Sequence, residues 1–335
     1  MSISNFNEIV KSDIETGTGE ILEDYSSTGR KRNWSQKKKV SLAVFELYQK
    51  ANEILPLLTE SRLQQLRDCA NDLIFATESN GKKKLVSANF CRVRMCEMCN
   101  WRKSLKLFIQ ISQITDKILA DKKCRFLFVT LTMKNPVADE LTNTIDKMNK
   151  AFTYITSKNR TFAPAKLLKI NLLGYMKSLE ITYNSKTDTY HPHIHCIFEL
   201  KTTYFKDGYI THKDWVSLWR QALNVDYDPL VNVKAIKNNT AKSVAEIAKY
   251  PVKSADVLSI KDKSKSVTAL ITLHYAMFKR RLITFGGDFK EYRRKLKLDD
   301  IEEGDLTHIE ADNNSINAIA YTLFRYNAKV GAYIC

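Results

Sequence analysis

The sequence predicts an α+β fold in which an antiparallel sheet is flanked by helices. Two observations lead to this prediction. Short apolar runs and stretches of helical periodicity follow each other in the order β-α-β-β-α-β-α between residues 126 and 250. Two of the strands are joined by the polar turn Asn184-Ser-Lys-Thr-Asp-Thr189, which predicts an antiparallel hairpin.

Each element of this region has its own signal. The first strand is the apolar run Phe126-Leu-Phe-Val-Thr-Leu-Thr132, which stops before Pro136. The first helix repeats apolar residues at helical spacing from Leu141 to Ile155, and a later helix begins at the N-cap Thr211. The predicted elements are strands over 126–132, 174–183, 190–200 and 231–236 and helices over 141–155, from 211, and over 241–250.

The segments before this region are predicted to be a tail, a helical stretch and a small strand-rich module. Residues 1–39 end in a basic run around Trp34, interpreted either as solvated charge or as a phosphate contact with Trp34 available for base stacking. Residues 40–77 are predicted to be helical. The runs LIFAT and KLVSANF predict two short strands joined at Asn80-Gly81, and a long helix is predicted from Trp101.

The C-terminal segment is predicted to be helical and basic, with an acidic tail. A helix is predicted over 266–282, followed by a break at Gly286-Gly287. A basic stretch at 293–297 is followed by an acidic one at 299–305. These opposite charges compensate each other in part, so a separate DNA-binding role for this segment stays open.

The charge balance points to a polyanionic partner. Among the 335 residues, 53 are Lys or Arg and 37 are Asp or Glu, which gives a net charge of +16. A protein this basic most often binds nucleic acid. No apolar run approaches the roughly 18–20 residues of a membrane helix, and the polar N-terminus does not resemble a secretory signal. We therefore expect a cytoplasmic protein that does not bind a membrane.

The cysteines predict a metal site. Their odd number, without a secretory signal, argues against a disulfide framework. Four fall within 31 residues, at a spacing that lets thiolates hold one tetrahedral Zn²⁺. Redox chemistry and ordinary buried thiols are the alternatives. The predicted structural zinc ligands are Cys69, Cys91, Cys96 and Cys99. Cys124 and Cys196 lie in predicted strands and are interpreted as core residues.

A second metal site is predicted on the hairpin. His193 and His195 stand two apart on a strand, so both imidazoles face the same side of the sheet. If Tyr183 pairs with Tyr190, then Glu180 lies opposite His193 on that face, either as a third ligand or as a surface carboxylate. Two nitrogens and one oxygen suit Mg²⁺ or Mn²⁺ acting as a Lewis acid on a phosphodiester.

The segment Glu246-Ile-Ala-Lys-Tyr250-Pro-Val-Lys253 carries a candidate nucleophile. Glu246 and Tyr250 are four apart and share a face of the predicted helix, although Pro251 predicts that the helix ends at Tyr250. Tyrosine is a poor nucleophile at its free pKa near 10, but a polarised phosphate and nearby lysines lower that barrier. Taken alone, a tyrosine such as Tyr250 is more often a half-buried aromatic residue than a nucleophile.

Three segments of the sequence resemble those of a known family. FLFVTLTMKNP, YHPHIHCIFEL and EIAKYPVKSAD resemble, in order and spacing, motifs one, two and three of plasmid rolling-circle replication initiators. These are HUH-type single-tyrosine endonucleases of small plasmids in Gram-positive bacteria. The segment FCRVRMCEMCNWRKSLK resembles the cysteine segment found upstream in the same family. The resemblance runs from about residue 60 to about residue 310, which is most of the chain.

The resemblance implies an HUH-endonuclease fold with a central sheet of the ferredoxin or RRM type. It implies that His193 and His195 bind the metal and that Tyr250 joins covalently to DNA. Glu246 matches the glutamate that stands in for a second tyrosine in related phage initiators. The third metal ligand varies among HUH enzymes, so His191 competes with Glu180. The expected domains are a tail over 1–39, a zinc module over 40–105, a nuclease domain over 106–260 and a C-terminal region over 261–335.

The sequence therefore predicts an initiator of plasmid rolling-circle replication. It is expected to bind the double-strand origin, nick one strand through Tyr250, form a 5′-phosphotyrosine, free a 3′-hydroxyl primer, and later terminate and rejoin. Lys253 is expected to assist catalysis, and Lys249, Arg94 and Arg102 to contact DNA together with Tyr250. The sequence contains no GxxxxGK[ST] motif, so a host helicase is expected to separate the strands and a host polymerase to extend the primer. A homo-oligomer stays open.

Two alternatives come from other functional classes. A zinc-bearing DNA-binding regulator explains the charge and the cysteines but leaves the histidine strand and Tyr250 without a role. A transposase or relaxase of the HUH type is the second alternative. A relaxase usually carries its tyrosine near the N-terminus, which differs from the position of Tyr250 here.

Overall fold

The computed structural model describes residues 14–15, 19–26, 29–157, 163–236, 251, 254–309 and 318–335. Within these residues the helices are α1 (Trp34–Ile54), α2 (Glu60–Arg67), α3 (Glu97–Asp121), α4 (Ala138–Thr156), α5 (Ala163–Asn171), α6 (Tyr204–Asp207), α7 (His212–Leu223), α8 (Ser254–Leu258), α9 (Lys263–Met277) and α10 (Asp288–Lys295). The strands are β1 (Ile14–Glu15), β2 (Asp72–Glu78), β3 (Lys83–Ala88), β4 (Arg125–Thr132), β5 (Leu172–Asn184), β6 (Thr189–Leu200), β7 (Val231–Ala235), β8 (Ile283–Gly287), β9 (Ala318–Asn327) and β10 (Ala332–Ile334). None of the described helices is long and apolar enough to cross a membrane.

The chain divides into two compact units. The first holds Met1–Lys106 together with Glu302–Cys335, and the second holds Leu107–Ile301. The first unit brings segments from both ends of the sequence together because β9 pairs with β2, with Phe324 opposite Leu73. The sequence did not predict this pairing, since local periodicity carries no information about a partner strand so distant along the chain.

The sheet of the first unit has the strand order β1-β9-β2-β3, and β10 pairs with β9. β2 and β3 form the predicted hairpin, and Gly81 in the turn adopts a φ of 77°, which glycine tolerates. The predicted helix over 40–77 is corrected. α1 ends at Ile54, just before Pro56, and α2 begins after Thr59, whose hydroxyl accepts the Arg62 N–H at 3.3 Å.

The predicted tail is helical from Trp34 onward. Trp34 is only 2% exposed, its indole N–H donates to Asp24 Oδ2 at 2.8 Å, and its ring packs edge-on against Trp101. A ring buried in this way cannot stack on a nucleic acid base. The interpretation of Trp34 as a stacking platform is therefore wrong, and the residue belongs to the core of the first unit.

The sheet of the second unit has the strand order β7-β4-β6-β5-β8, and every neighbouring pair is antiparallel. The predicted hairpin register is confirmed, because Tyr183 pairs with Tyr190 and Glu180 with His193. Four of its strands follow in the predicted order, but each crossover contains two helices instead of the one predicted, α4 with α5 and α6 with α7. The last helix predicted there, over 241–250, lies outside the described residues.

The fifth strand corrects the predicted break at Gly286-Gly287. These residues end β8, which pairs with β5 from Gly174 to Ser178. Gly287 has a φ of 54°, and a Cβ atom there would collide with the Leu173 carbonyl oxygen. Glycine therefore permits close packing at the end of this strand.

The two faces of this sheet have different surroundings. On one face Phe198 stacks on Trp215 of α7, and Lys177 donates to Asn149 of α4 at 2.7 Å. Because side chains alternate along a strand, His193 and His195 of β6 lie on the opposite face, which we call the metal face. The helices α4 and α7 thus cover one side of the sheet and leave the histidines on the other.

Candidate metal centres and catalytic motif

The metal face brings together the two predicted histidines and the predicted carboxylate. Nε2 of His193 lies 2.8 Å, and Nε2 of His195 2.9 Å, from the same oxygen, Oε2 of Glu180. The three side chains are between 11% and 19% exposed. We call this group the triad. Its geometry follows directly from the hairpin, since Glu180 and His193 are cross-strand partners and His195 is two residues further on.

The other ring nitrogens orient the imidazoles. Nδ1 of His193 lies 3.1 Å from the carbonyl oxygen of His191 and, because a carbonyl only accepts, Nδ1 must carry the proton. Nδ1 of His195 lies 3.1 Å from Thr130 Oγ1 of the neighbouring strand β4, and the His195 ring stacks on Phe128. Hydrogen bonds of this kind fix the tautomer of metal-binding histidines.

The donor set fits a divalent cation. When Nδ1 of a neutral His193 carries the proton, Nε2 is an acceptor, and its lone pair faces Oε2 of Glu180. These two acceptor atoms lie 2.8 Å apart, so they need a proton or a cation between them. Neighbouring ligands of an octahedral ion at about 2.1 Å lie about 3.0 Å from each other, close to the observed distances. His191 contributes its carbonyl oxygen to this arrangement, and burial and the nearby His193 lower the pKa of its own ring.

The four predicted cysteines form a second cluster, in the first unit. Their side chains are at most 6% exposed, and the Sγ–Sγ distances are 3.6 Å for Cys69–Cys99, 3.7 Å for Cys91–Cys99 and 3.6 Å for Cys69–Cys96. Four sulfurs at about 2.3 Å from a tetrahedral Zn²⁺ lie about 3.8 Å apart, so this spacing fits the ion. We call this group the cysteine cluster.

Donors surround the sulfur atoms. The Arg92 N–H donates to Cys99 Sγ at 3.2 Å, and the Cys91 N–H donates to Cys69 Sγ at 3.4 Å. Ser41 Oγ, which accepts the Met98 N–H at 2.9 Å, lies 3.4 Å from Cys96 Sγ and can donate its hydroxyl proton to it. Burial raises the pKa of the Cys69 and Cys91 thiols. Such N–H and O–H donors favour thiolates, the form that binds metal.

The predicted catalytic segment lies outside the described residues. This applies to Glu246, Lys249, Tyr250 and Lys253. Pro251, the residue after Tyr250 in the sequence, is described, and its carbonyl oxygen accepts the Ile181 N–H at 3.2 Å. Pro251 is thus hydrogen-bonded to β5 at the residue that follows Glu180.

The two arginines predicted to contact DNA bind residues of the first unit. Arg94 pairs with Glu302 at 3.1 Å. Arg102 is 3% exposed and donates to the carbonyl oxygens of Leu306 and Thr307, at 2.8 Å each. These bonds give Arg102 a role in holding residues 302–307, and a phosphate contact by its buried guanidinium has no support from the structure.

Sequence reasoning missed the residues that surround the triad on neighbouring strands. Thr130 and Phe128 lie on β4, where Thr130 pairs with His195. The alternation of Phe128, Thr130 and Thr132 in the first predicted strand was the available signal, because residues two apart share a face. The order of the strands, which decides that this face is the metal face, was not visible in the sequence.

A sheet face with two imidazoles and a carboxylate, together with a buried cysteine cluster, defines a basic α+β protein with two candidate metal centres. Comparison with known proteins gives its family. The model of the replication protein family Rep_1 matches residues 82–334. No solved structure matches the chain. The chain belongs to the Rep_1 family of replication proteins.

Individual relatives extend this likeness over nearly the whole chain. It is 34% identical over 320 residues to Protein rep of Streptococcus pneumoniae, an alignment that covers 93% of this chain and 95% of that protein. It is 37% identical over 301 residues to Protein rep of Lactiplantibacillus plantarum, covering 87% and 90%. These matches confirm the identification, made from the motifs, of a plasmid replication initiator.

Proposed function

We propose that this replication protein nicks one strand of its plasmid origin by a metal-dependent tyrosine reaction and later rejoins it. The observation that carries the proposal is the triad, in which Nε2 of His193 and of His195 converge on one oxygen of Glu180. Two further observations support it. The triad lies on the face that α4 and α7 leave uncovered, and the residue after Tyr250 is bonded to β5 beside Glu180.

The proposed fold is that of the HUH endonucleases. The strands β4, β5, β6 and β7 belong to a β-α-β-β-α-β sequence and lie in the spatial order β7-β4-β6-β5. This is the arrangement of a split β-α-β unit, in which the two central strands are the first and third in sequence. Here the central strands are β4 and β6, and β6 carries both histidines.

The proposed reaction is an exchange of phosphodiester bonds. His193, His195 and Glu180 would hold Mg²⁺ or Mn²⁺, which supplies Lewis-acid polarisation of the scissile phosphate. The phenol oxygen of Tyr250 bonds to phosphorus as the bond to the 3′ oxygen breaks, and the 3′ oxygen leaves as a hydroxyl with a proton. The phosphate remains on tyrosine as a 5′-phosphotyrosine, so the reverse attack by a 3′-hydroxyl rejoins the strand without a nucleotide cofactor. Lys249 and Lys253 would stabilise the phosphate charge.

The remaining predicted roles follow from this reaction. The cysteine cluster would hold one structural Zn²⁺ in the first unit. In cells the protein would act in the cytoplasm on double-stranded and locally single-stranded origin DNA. A host helicase would separate the strands, and a host polymerase would extend the free 3′-hydroxyl.

A covalent-adduct assay tests the proposal. Single-stranded DNA from the plasmid origin, labelled at its 3′ end, is incubated with protein and Mn²⁺ and run on a denaturing gel. The wild-type protein should retain the label, whereas Tyr250→Phe should not, since the phenyl ring lacks the attacking oxygen. Tyr275→Phe is a matched control, because Tyr275 is 49% exposed on α9. DNA binding without any adduct in the wild type would favour a zinc-bearing regulator without catalysis.

Glu246 is proposed to end the cycle. After one round of synthesis it would act as a general base on water and cut the regenerated junction, which releases the enzyme. Glu246→Ala should therefore form the adduct but fail to terminate in a plasmid with two origins. Glu246→Tyr would supply a second nucleophile and allow reinitiation. Normal termination by Glu246→Ala would reduce Glu246 to a surface carboxylate.

A further inference from the structure

The edge of the sheet places an arginine beside the triad. β8 pairs with β5 with Ser178 opposite Ile283, and the Leu179 N–H donates to the Leu282 carbonyl at 2.8 Å, which extends the ladder by one residue. Arg281 directly precedes Leu282 in the chain, as Glu180 directly follows Leu179, so both residues adjoin the last hydrogen bond of this ladder. Glu180 therefore has His193 as its partner on β6, while Arg281 lies next to the hydrogen-bonded end of the ladder on the β8 side.

The ladder changes partner directly after this position. The Ile181 N–H donates to Pro251 rather than to the chain that precedes β8. Arg280, the neighbour of Arg281, pairs with Asp146 of α4 on the helix-covered face. Arg280 thus pairs on the helix-covered side of the sheet, whereas Arg281 pairs elsewhere, with Asp300.

The side chain of Arg281 lies on the metal face and in solvent. It is 69% exposed, and its Nη1 lies 3.6 Å from Asp300 Oδ2. Asp300 also pairs with Arg293 at 3.5 Å, and the Arg293 guanidinium lies over the ring of Phe285. Ser178 lies two residues before Glu180 on β5, so its side chain is on the face of the triad. Ile283, the partner of Ser178, and Phe285, two residues further along β8, are on that same face.

We propose that Arg281 binds a backbone phosphate of the single DNA strand held at the triad, and that this phosphate replaces the carboxylate of Asp300. The proposal rests on the proposed function and adds a substrate-binding residue to it. The planar guanidinium matches phosphate with two parallel N–H donors. A long, exposed ion pair contributes little stability, so its exchange is easy. Asp300 keeps Arg293 as a partner when Arg281 turns to DNA.

The chain offers a matched control on the helix-covered side. Arg220 of α7 is 50% exposed and pairs with Asp228 at 2.9 Å. This pair has the same residue types and the same net charge as Arg281 with Asp300. It lies on a helix that covers the opposite face of the sheet, so its removal changes the charge of the protein without changing the metal face.

The test measures binding without catalysis. Fluorescence anisotropy of fluorescein-labelled oligothymidylate is recorded without added Mg²⁺ or Mn²⁺, over a series of salt concentrations, for the full-length protein and four variants. Arg281→Gln should weaken binding about fivefold at low salt and reduce the slope of log K against log salt by about 0.7, the contribution of one phosphate contact on a single strand. Asp300→Asn should tighten binding about twofold, whereas Arg220→Gln and Asp228→Asn should match the wild type.

Four results would overturn the proposal. Arg281→Gln could bind as the wild type does, Arg220→Gln could lose as much affinity, or the loss could appear only on duplex DNA. A wild-type protein that binds no oligothymidylate would have the same consequence. Because this assay needs neither Tyr250 nor a metal, its outcome is separate from that of the adduct assay. If no adduct formed, the nicking proposal would be contradicted, but the measured effect of Arg281→Gln on DNA binding would still be valid.

Discussion

The two candidate metal centres differ in how far their ligands are closed off from water. The cysteines of the cluster are at most 6% exposed, whereas the triad side chains are 11% to 19% exposed. Four thiolates complete a tetrahedral shell, but two nitrogens and one oxygen leave positions for other ligands. The closed centre is suited to holding a fold together and the open centre to binding substrate.

The two centres also differ in how their ligands are distributed along the sequence. The triad comes from one hairpin, whereas the cysteine cluster joins Cys69, which precedes β2, to three residues that follow β3. An ion in the cluster therefore links segments that the β2–β3 hairpin separates. We expect its loss to act on folding, and the loss of an ion from the triad to act on chemistry.

The largest effect is expected at the closed centre. Cys99→Ser should release the metal and unfold most of the first unit, because structural zinc contributes roughly 10–16 kcal/mol in small zinc domains. Elemental analysis should give about one zinc per wild-type chain, and thermal unfolding should report the loss of stability. Cys196→Ser is the matched control, since Cys196 is equally buried but lies in β6, outside the cluster. If Cys99→Ser unfolds no more readily than Cys196→Ser, the cluster consists of ordinary buried thiols.

The open centre should behave in the opposite way. His195→Ala should reduce adduct formation at least about a hundredfold and lower the melting temperature far less than Cys99→Ser does, because it removes a ligand and one ring contact, with Phe128, but no structural metal. His274→Ala on α9 serves as the control histidine. A fall in melting temperature comparable to that of Cys99→Ser would mean that the triad is structural, and the contrast between the two centres would fail.

A smaller effect is expected from the hydroxyl behind the triad. Thr130→Val keeps the shape of the side chain but removes the oxygen 3.1 Å from His195 Nδ1, so His195 loses its fixed tautomer. Mn²⁺ affinity, measured by titration calorimetry, should fall about tenfold, and high Mn²⁺ should restore adduct formation. Thr130→Ser should retain the affinity. A lowered melting temperature with unchanged Mn²⁺ affinity would show that Thr130 only supports the sheet.

The sequence predicted contacts between residues that are close together along the chain, and it missed contacts between residues that are far apart. The register of Glu180 and His193 was predictable because a short turn fixes the pairing of a hairpin. β8 and β9 were not predicted because each pairs with a strand far away in sequence. Arg281 was missed for the same reason, since its place beside Glu180 exists only through the register of β8. Arg102 looked like a DNA contact because its partners, Leu306 and Thr307, come from the far end of the chain.

The smallest effect should come from the hydroxyl behind the cysteine cluster, and it completes the comparison with Thr130. Ser41 Oγ accepts the Met98 N–H and lies 3.4 Å from Cys96 Sγ, so Ser41→Ala leaves one buried N–H without its acceptor and one thiolate without a donor. A lost hydrogen bond of this kind costs about 1–3 kcal/mol. Ser41→Ala should therefore lower the melting temperature modestly and speed zinc release to a chelator, with Mn²⁺ affinity and adduct formation unchanged. Thr130→Val should give the reverse pattern, because its oxygen serves an open site. If both variants shift the same property, the two centres do not divide folding and chemistry between them.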